Sequence, residues 1–335
     1  MDEQSEREQT KKLTSAAKSG GALVLAQLSH AGRQTPKEIN PTPLSVSDLP
    51  LDLPGYGIPK TASEDDLQSV IDQFASSALI AKETGFNGVQ IHSAHGYLLS
   101  SALSGRINNR TDRWGGSLEN RAHLAVSVVR AVRLKVGPEF IVAVKLNSSD
   151  FQKGGFTHEE SIEVAKMLEK EGVDFIEISG GNFETPVAYK HTSKSESTIA
   201  REAYFLEYAR DIKAAINIPV MVTGGFRSLE VMNHALTNND ADLIGVGRPF
   251  IIDPEFPNKL LDGTIDAAPS IERDFPPAEE LPRGAVLNWF CHQLLLHGQK
   301  GDSDLALTVV EGHEQYLKSI KEVTERLLNA RAKQN

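Results

Sequence analysis

The sequence predicts an α/β fold of the TIM type, a parallel (β/α) barrel in which six of the eight expected strands are recognisable. Short apolar runs rich in β-branched residues alternate with amphipathic segments along the chain. This alternation is typical of a parallel sheet covered by helices. Polar side chains and glycine-rich turns follow the apolar runs. Functional residues occupy this position in barrels, at the carboxyl ends of the strands.

The six predicted strands are nearly continuous in apolar residues, as strands buried on both faces are. A doubly wound sheet is the alternative, and it predicts a GxGxxG turn after the first strand. The sequence has no such turn there, and the GVG at 245–247 continues with Arg-Pro-Phe. We therefore favour a barrel. Its predicted strands cover residues 22–28, 88–92, 141–147, 175–179, 219–224 and 243–247.

A count of six strands has two explanations. Either two strands escape recognition, or the barrel lacks its opening β-α-β unit. An open six-stranded sheet would have two unpaired edges, and edges of this kind attract other strands. The region after residue 250 reads as helices and supplies no further strand.

Helical periodicity predicts helices before, between and after the strands. The clearest covers 64–84, where Leu67, Val70 and Ile71 share one face. Thr157 and Glu160 resemble a capping box at the start of another helix. The remaining predicted helices cover 5–19, 119–136, 159–171, 201–215, 228–237, 254–262, 284–298 and 311–330.

The whole chain, 1–335, is predicted to form one domain. Residues 34–62 are rich in proline and polar residues, and residues 180–200 are rich in Gly, Ser, Lys and Thr. Both segments follow strand ends, so we predict rim loops that act as lids or binding loops, with a surface insertion as the alternative. Residues 265–335 are predicted to be a C-terminal helical extension.

Composition narrows the class of partner. The chain has 335 residues, of which 40% are hydrophobic and 24% charged, and its net charge is −10. An acidic chain without a basic run is not expected to bind nucleic acid or an anionic membrane. The single cysteine, Cys291, cannot form an internal disulfide, which indicates a reducing compartment and a cytoplasmic location. No apolar run approaches the roughly 20 residues that span a bilayer.

His92, His95 and Tyr97 lie where a buried strand should end. A structural role is one interpretation. A zinc pair is a second, but it needs further Cys, His, Asp or Glu ligands, and the sequence has no HExxH or CxxC. In the third interpretation both imidazoles donate hydrogen bonds to one substrate oxygen while Tyr97 delivers or takes a proton. We favour the third.

Two polar residues lie inside apolar strands. Lys145 ends the strand VAVKLN, and a charge there needs a partner. At the mouth of a barrel we favour an electron-rich cofactor or substrate as that partner, with a carboxylate in a structural salt bridge as the alternative. Gln27 lies in LAQLSH. Its amide both donates and accepts, which suits a heterocycle with alternating N–H and C=O groups.

Glycines and one arginine follow the last two strands. Backbone N–H groups at such turns, with one guanidinium, form a phosphate cradle. Together with the polar residues above, this cradle describes a flavin enzyme better than a hydrolase, and no GxSxG or P-loop argues otherwise. The residues of the cradle are Gly224, Gly225, Gly247 and Arg248.

Four stretches carry a family resemblance: AQLSHAGRQ, HSAHGYLLSSALSGRINNRTDRWGGSLENRA, SGGNFETP and DLIGVGRPFIIDP. They resemble the old yellow enzyme family of FMN-dependent ene-reductases, the NADH:flavin oxidoreductases. The resemblance covers roughly residues 5–325. It implies an eight-stranded barrel with FMN at its mouth, NADH or NADPH as the reductant, and an activated alkene as the substrate.

The resemblance also implies a role for each candidate residue. Gln27 would hydrogen-bond the flavin pyrimidine ring, and Lys145 takes the position near the flavin N1/O2 edge that is often Arg. The glycines and Arg248 would hold the phosphate. His92 and His95 would bind the carbonyl of an α,β-unsaturated substrate, and many members have Asn at the second His. Tyr97 would protonate Cα after hydride passes from flavin N5 to Cβ.

One departure from the family affects these expectations. Family members carry a further N-terminal segment with the first two strands, which closes the barrel and supplies backbone contacts to the flavin. We therefore expect an incomplete barrel that lacks part of the FMN-binding site. The expected partners are an enone-type small molecule and either a second copy of the chain or a chain that completes the barrel. The alternatives are a flavin-free remnant that acts as a binding partner, and a metal-dependent barrel hydrolase or lyase using His92 and His95.

Overall fold

The computed structural model of the protein describes residues 6–184 and 203–332. The chain divides into two compact units, each of which is described by itself below. The predicted single domain over 1–335 stays a prediction. The first unit comprises Met1–Lys190, Phe205–Val222 and Asn238–Leu243, and the second comprises His191–Tyr204, Thr223–Thr237 and Ile244–Asn335.

All six predicted strands are present, and their bounds differ from the prediction by at most three residues. They belong to a six-stranded sheet, and a pair of two-residue strands forms a second, small sheet. The strands described are β1 Leu25–Leu28, β2 Leu44–Ser45, β3 Lys60–Thr61, β4 Gly88–Ser93, β5 Ile141–Asn147, β6 Phe175–Ser179, β7 Val220–Thr223 and β8 Leu243–Gly245. The larger sheet has the order β1, β4, β5, β6, β7, β8.

The register of the sheet places polar side chains from four strands on one face. Parallel pairing sets Gln27 opposite Gln90, His92 opposite Lys145, and Lys145 opposite Glu177. Directly paired residues share a face, and so do residues two apart in one strand. Gln90 and His92 are therefore on the same face as the other three.

Apolar side chains cover the opposite face of the same strands and meet the helices. Val89 and Ile91 in β4, and Val142 and Val144 in β5, are fully buried. They alternate with the polar positions, as the period of two in a strand requires. Because these apolar side chains lie on the opposite face, the polar face is available for a binding site.

Helices of the first unit agree with the predicted segments to within a few residues at their ends. The capping box of Thr157 and Glu160 is confirmed. Leu98–Leu103 was not predicted because six residues are too few to show helical periodicity. The helices are α1 Arg7–Lys18, α2 Glu64–Glu83, α3 Leu98–Leu103, α4 Leu118–Val136, α5 His158–Lys170 and α6 Leu206–Lys213.

The predicted rim loop 34–62 is packed over part of its length. Its strands β2 and β3 pair in parallel through Leu44–Lys60 and Ser45–Thr61. Val46 and Leu51 from the same segment are buried. This part of the segment is therefore packed and not extended into solvent. The second predicted rim loop, 180–200, lies outside the described residues from 185 onward.

Helices of the second unit include two long ones in the region 265–335. Trp289 is fully buried, and its indole N–H donates to the Leu307 carbonyl at 3.0 Å. At Gly312 an added Cβ would lie 2.5 Å from the Trp289 ring, so this helix contact requires glycine. The helices are α7 Leu229–Thr237, α8 Arg248–Ile252, α9 Phe256–Leu261, α10 Ala285–Lys300 and α11 Val309–Ala332. Over the described ranges, no helix has the length and apolar character needed to cross a bilayer.

Candidate active site

A sharp turn after β4 brings the three predicted catalytic residues together. The backbone of His95 has a φ of 61°, and that of Gly96 has a φ of 81°. The His95 N–H donates to Asn147 Oδ1 at 3.1 Å, which fixes the turn. As a result the His92 ring centroid lies 5.2 Å from that of His95 and 4.9 Å from that of Tyr97.

Gly96 makes this turn sterically feasible. Its positive φ is unfavourable for residues with a Cβ. An added Cβ would also lie 3.1 Å from Gln34 Oε1 and 3.2 Å from the Asn182 side chain. The turn is therefore held between the segment after β1 and the segment after β6.

The two imidazoles are neutral at physiological pH. Burial, followed by the charge of Lys145, lowers the pKa of His92 to about 4. Burial, Lys145 and then His92 lower the pKa of His95 to about 3. Each neutral ring keeps one N–H donor. Burial and then Tyr56 raise the pKa of the Tyr97 phenol, so this hydroxyl stays protonated.

Hydrogen bonding distinguishes the two histidines. His95 Nε2 lies 2.8 Å from Ser179 Oγ. When Ser179 donates its proton there, the His95 ring carries its own proton on Nδ1. His92 Nδ1 is buried and has no hydrogen-bond partner among the described residues. A buried polar atom of this kind costs free energy unless something binds it, so it marks a position where a ligand atom fits.

The lowered pKa values predict a stability that falls in acid. In the unfolded chain both histidines titrate near 6.5, so on acidification the unfolded state takes up their protons first. We expect the free energy of unfolding to fall by at least about 2 kcal/mol from these groups between pH 7 and pH 4. Urea denaturation at pH 7, 6, 5 and 4 measures this, with the His92→Asn/His95→Asn double variant as control. An equal decline in the double variant would contradict the assignment.

A chain of polar contacts crosses the sheet beside the histidines. Lys145 Nζ lies 2.8 Å from Glu177 Oε1, and both side chains are largely buried. Gln90 Nε2 donates to Glu177 Oε2 at 2.6 Å. Gln27 Nε2 donates to Gln90 Oε1 at 2.7 Å. The structure therefore shows the less favoured of the two partners predicted for Lys145, a carboxylate in a salt bridge.

Gln90 and Glu177 were not predicted, although each is a polar residue inside an apolar strand. The signal was the same one that identified Gln27 and Lys145. GVQIH and FIEIS place the polar residue at an inward position. A polar residue at an inward strand position therefore identifies both.

The predicted phosphate residues lie in the second unit. Gly224 and Gly225 have φ of 154° and 86°, conformations that favour glycine. Gly247 precedes α8. Arg248, in the first turn of α8, lies 3.3 Å from Glu272 Oε1 and 5.9 Å above the Phe290 ring. Its phosphate-binding role stays a prediction.

Arg227 was not predicted. It is buried and forms an ion pair with the same Glu272 that Arg248 contacts. Burial, the largest cause, lowers the pKa of this guanidinium, which nevertheless stays charged because arginine titrates far above physiological pH. Glu272 therefore keeps a cationic partner even where Arg248 binds something else.

A cleft of about 640 Å³ lies against β1 and α2. Gln27 lines it, but none of His92, His95 and Tyr97 does. The other residues around it are Leu28, Ser29, His30, Ser69, Val70, Asp72, Gln73, Phe74, Ser76 and Ser77. In the part of the chain that the structure describes, no group of three or more His, Cys, Asp or Glu is arranged to hold a metal ion.

Arg33 joins two segments at the rim of the site. Its side chain is 2% exposed. One guanidinium nitrogen donates to the Pro50 carbonyl at 2.9 Å, and another lies 2.7 Å from Glu184 Oε2. Next to this pair, the Phe183 ring contacts that of Tyr97 edge to face, with centroids 5.8 Å apart. The rim segment 34–62 and the segment after β6 thus meet at one buried cation.

Comparisons with known proteins identify the family of the chain. A family model described as the NADH:flavin oxidoreductase / NADH oxidase family matches residues 2–266. The chain is 39% identical over 261 residues to the NADH-dependent flavin oxidoreductase nadA of Aspergillus parasiticus, covering 76% of this chain and 58% of that one. It is 33% identical over 253 residues to an NADH oxidase of Thermoanaerobacter brockii, covering 75% and 38%. The chain therefore spans less than two thirds of the length of these relatives.

Solved structures support the predicted fold class. The complex of 2-naphthoyl-CoA reductase with 2-naphthoyl-CoA matches with a TM-score of 0.72 and 29% identity, over 79% of this chain and 42% of that one. An old yellow enzyme homologue from Zymomonas mobilis matches with a TM-score of 0.66 and 25% identity, over 83% and 77%. These likenesses confirm the TIM-type α/β class.

Proposed function

Because the chain belongs to the NADH:flavin oxidoreductase / NADH oxidase family, we propose that it is an FMN-dependent oxidoreductase that uses NADH or NADPH to reduce the C=C bond of an α,β-unsaturated carbonyl compound. The observation that supports this activity best is the turn after β4. This turn places His92 beside His95 and a protonated Tyr97. His92 Nδ1 is buried there and has no hydrogen-bond partner among the described residues. Bound FMN would supply the hydride.

The three side chains then have separate tasks. Neutral imidazoles at His92 and His95 donate hydrogen bonds to the substrate carbonyl oxygen, which draws electron density from the conjugated C=C bond. Tyr97 gives its phenolic proton to Cα as hydride arrives at Cβ. Its raised pKa keeps this proton in place over the physiological range.

The candidate residues for holding FMN are those predicted from the sequence. Gln27 has an exposed amide that suits the pyrimidine ring, and Lys145 supplies a cation compensated by Glu177. The glycine turns and Arg248 suit the phosphate. A small-molecule substrate and a cytoplasmic location complete the proposal, in keeping with the acidic charge and the single cysteine.

Flavin binding tests the proposal directly. The purified protein should keep flavin absorption bands through gel filtration after incubation with FMN. Arg248→Ala should raise the dissociation constant of FMN roughly 10- to 100-fold, because a hydrogen bond to a charged group contributes about 1.5–3 kcal/mol. Riboflavin, which has no phosphate, should bind both proteins equally. Fluorescence titration measures all four affinities.

Arg326→Ala is the matched control, since Arg326 lies in α11, far along the sequence from the glycine turns. It should leave FMN affinity unchanged. If Arg248→Ala lost FMN and riboflavin affinity equally, the phosphate-binding role of Arg248 would be wrong, but the proposed activity would not be affected. A protein that retains no flavin would contradict the proposed activity itself.

A further inference from the structure

Three polar side chains form a relay that ends on a carboxylate. Gln27 donates to Gln90 at 2.7 Å, and Gln90 donates to Glu177 at 2.6 Å. Lys145 lies 2.8 Å from the other oxygen of Glu177. Burial increases along this relay, from an exposed Gln27 through a half-buried Gln90 to a Glu177 that is 5% exposed.

The carboxylate gives the relay one direction. Glu177 is ionised beside Lys145, and an ionised carboxylate only accepts hydrogen bonds. Gln90 must therefore turn an N–H toward Glu177, which leaves its carbonyl oxygen facing Gln27. Gln27 must in turn give an N–H to that oxygen. The ionised carboxylate therefore fixes the orientation of both amides.

The orientation of the Gln27 amide determines which of its hydrogen-bonding groups are available to a ligand. One of its two amide hydrogens is used, so its carbonyl oxygen and its second N–H remain for a ligand. An acceptor next to a donor is complementary to a lactam edge, in which a ring N–H adjoins a ring C=O. The pyrimidine ring of a flavin has such an edge.

We propose that Glu177 and Gln90 are positioning residues that set the amide of Gln27 to select a ring with a lactam edge. The inference rests on the proposed function, since FMN is the ligand that would supply this ring. Without the carboxylate at its end the relay has no fixed direction, because an amide at position 177 would donate or accept equally well. Gln27 would then face a ligand in either orientation.

Glu177 also sets the charge beside the ligand. Its carboxylate compensates Lys145. In Glu177→Gln the ammonium group would be uncompensated, and a cation stabilises the additional negative charge of a reduced flavin. The midpoint potential of bound FMN should therefore rise in this variant, by at least the equivalent of a tenfold change in the reduction equilibrium, about 30 mV for a two-electron couple.

The test compares FMN with 3-methyl-FMN, whose pyrimidine N–H is replaced by N–CH₃. The unaltered protein should bind FMN at least tenfold more tightly than 3-methyl-FMN. In Glu177→Gln the two should bind within threefold of each other. A residue with a merely structural role would weaken both ligands alike, so the ratio of the two affinities reports on positioning.

Two further variants separate the causes. The double variant Lys145→Met/Glu177→Gln leaves no buried charge unpaired. It should therefore stay folded even if Glu177→Gln alone does not. It should also lose the preference for FMN, without the rise in potential. Glu160→Gln breaks another ion pair, with Arg121, away from the relay, and it should keep the preference.

The outcomes distinguish the two levels of the proposal. A protein that binds neither flavin would overturn the proposed function and this inference together. A protein that binds FMN, but whose Glu177→Gln variants keep the tenfold preference, would overturn the inference alone. Loss of the preference in both Glu177 variants and not in Glu160→Gln would establish the relay.

Discussion

Replacing Tyr97 with phenylalanine should lower the rate of alkene reduction by roughly 10²- to 10⁴-fold, the usual contribution of a positioned general acid. Reduction of bound FMN by NADH should stay nearly unchanged, because only the second half-reaction needs the phenolic proton. Stopped-flow absorbance separates the two steps: flavin bleaching with NADH, then recovery of the oxidised spectrum with 2-cyclohexen-1-one under anaerobic conditions.

Tyr56→Phe is a suitable comparison for Tyr97→Phe. Tyr56 lies close enough to raise the pKa of Tyr97, so this variant removes a second phenolic hydroxyl from the same neighbourhood. The proton donor remains, and we expect less than a tenfold change in alkene reduction. If Tyr97→Phe slowed both half-reactions equally, the loss would reflect damage to the flavin site and the donor role would be wrong.

Truncation of His92 should have the second large effect. His92→Ala removes the imidazole whose Nδ1 lacks a partner among the described residues. Loss of one preorganised donor to a developing oxyanion typically costs about 10²- to 10³-fold in rate. His92→Asn should recover most of that loss, because the amide nitrogen of Asn also donates a hydrogen bond. Steady-state kcat and KM with 2-cyclohexen-1-one measure both variants.

Comparing His92→Ala with His92→Asn separates the loss of a hydrogen-bond donor from the loss of packing contacts. Both variants lose the aromatic contacts of His92 with His95 and Tyr97, but only alanine loses a donor. Thermal unfolding of each variant shows whether the turn after β4 survives. Equal rates for His92→Ala and His92→Asn, with both proteins folded, would rule out donation from this position.

Strands and long helices could be predicted from the sequence because their periodicity is local. β5 and β6 have the predicted bounds, 141–147 and 175–179. The short elements, α3 at 98–103 and the pair β2 and β3, were missed. An element of two to six residues is too short to show a periodic pattern. The pairing of β2 with β3 also joins residues about 16 positions apart in the loop, Leu44 with Lys60 and Ser45 with Thr61.

The site was predictable to the extent that its residues are neighbours in the chain. His92, His95 and Tyr97 lie within six positions, so one turn brings them together. The partner of Lys145 depends on the register between β5 and β6, which sets it opposite Glu177. A shift of two residues would keep every side chain on its face and would still choose a different partner, so the alternation of apolar and polar residues does not identify Glu177.

The double contact of Arg33 restricts how this scaffold can change its substrate range. One buried guanidinium holds Pro50 in one segment and Glu184 in another. A chimaera that took only one of these segments from a relative would leave a buried cation without half of its partners, at a substantial cost in stability. The two segments therefore form one exchangeable block, and a library that searches for new substrates should recombine them together.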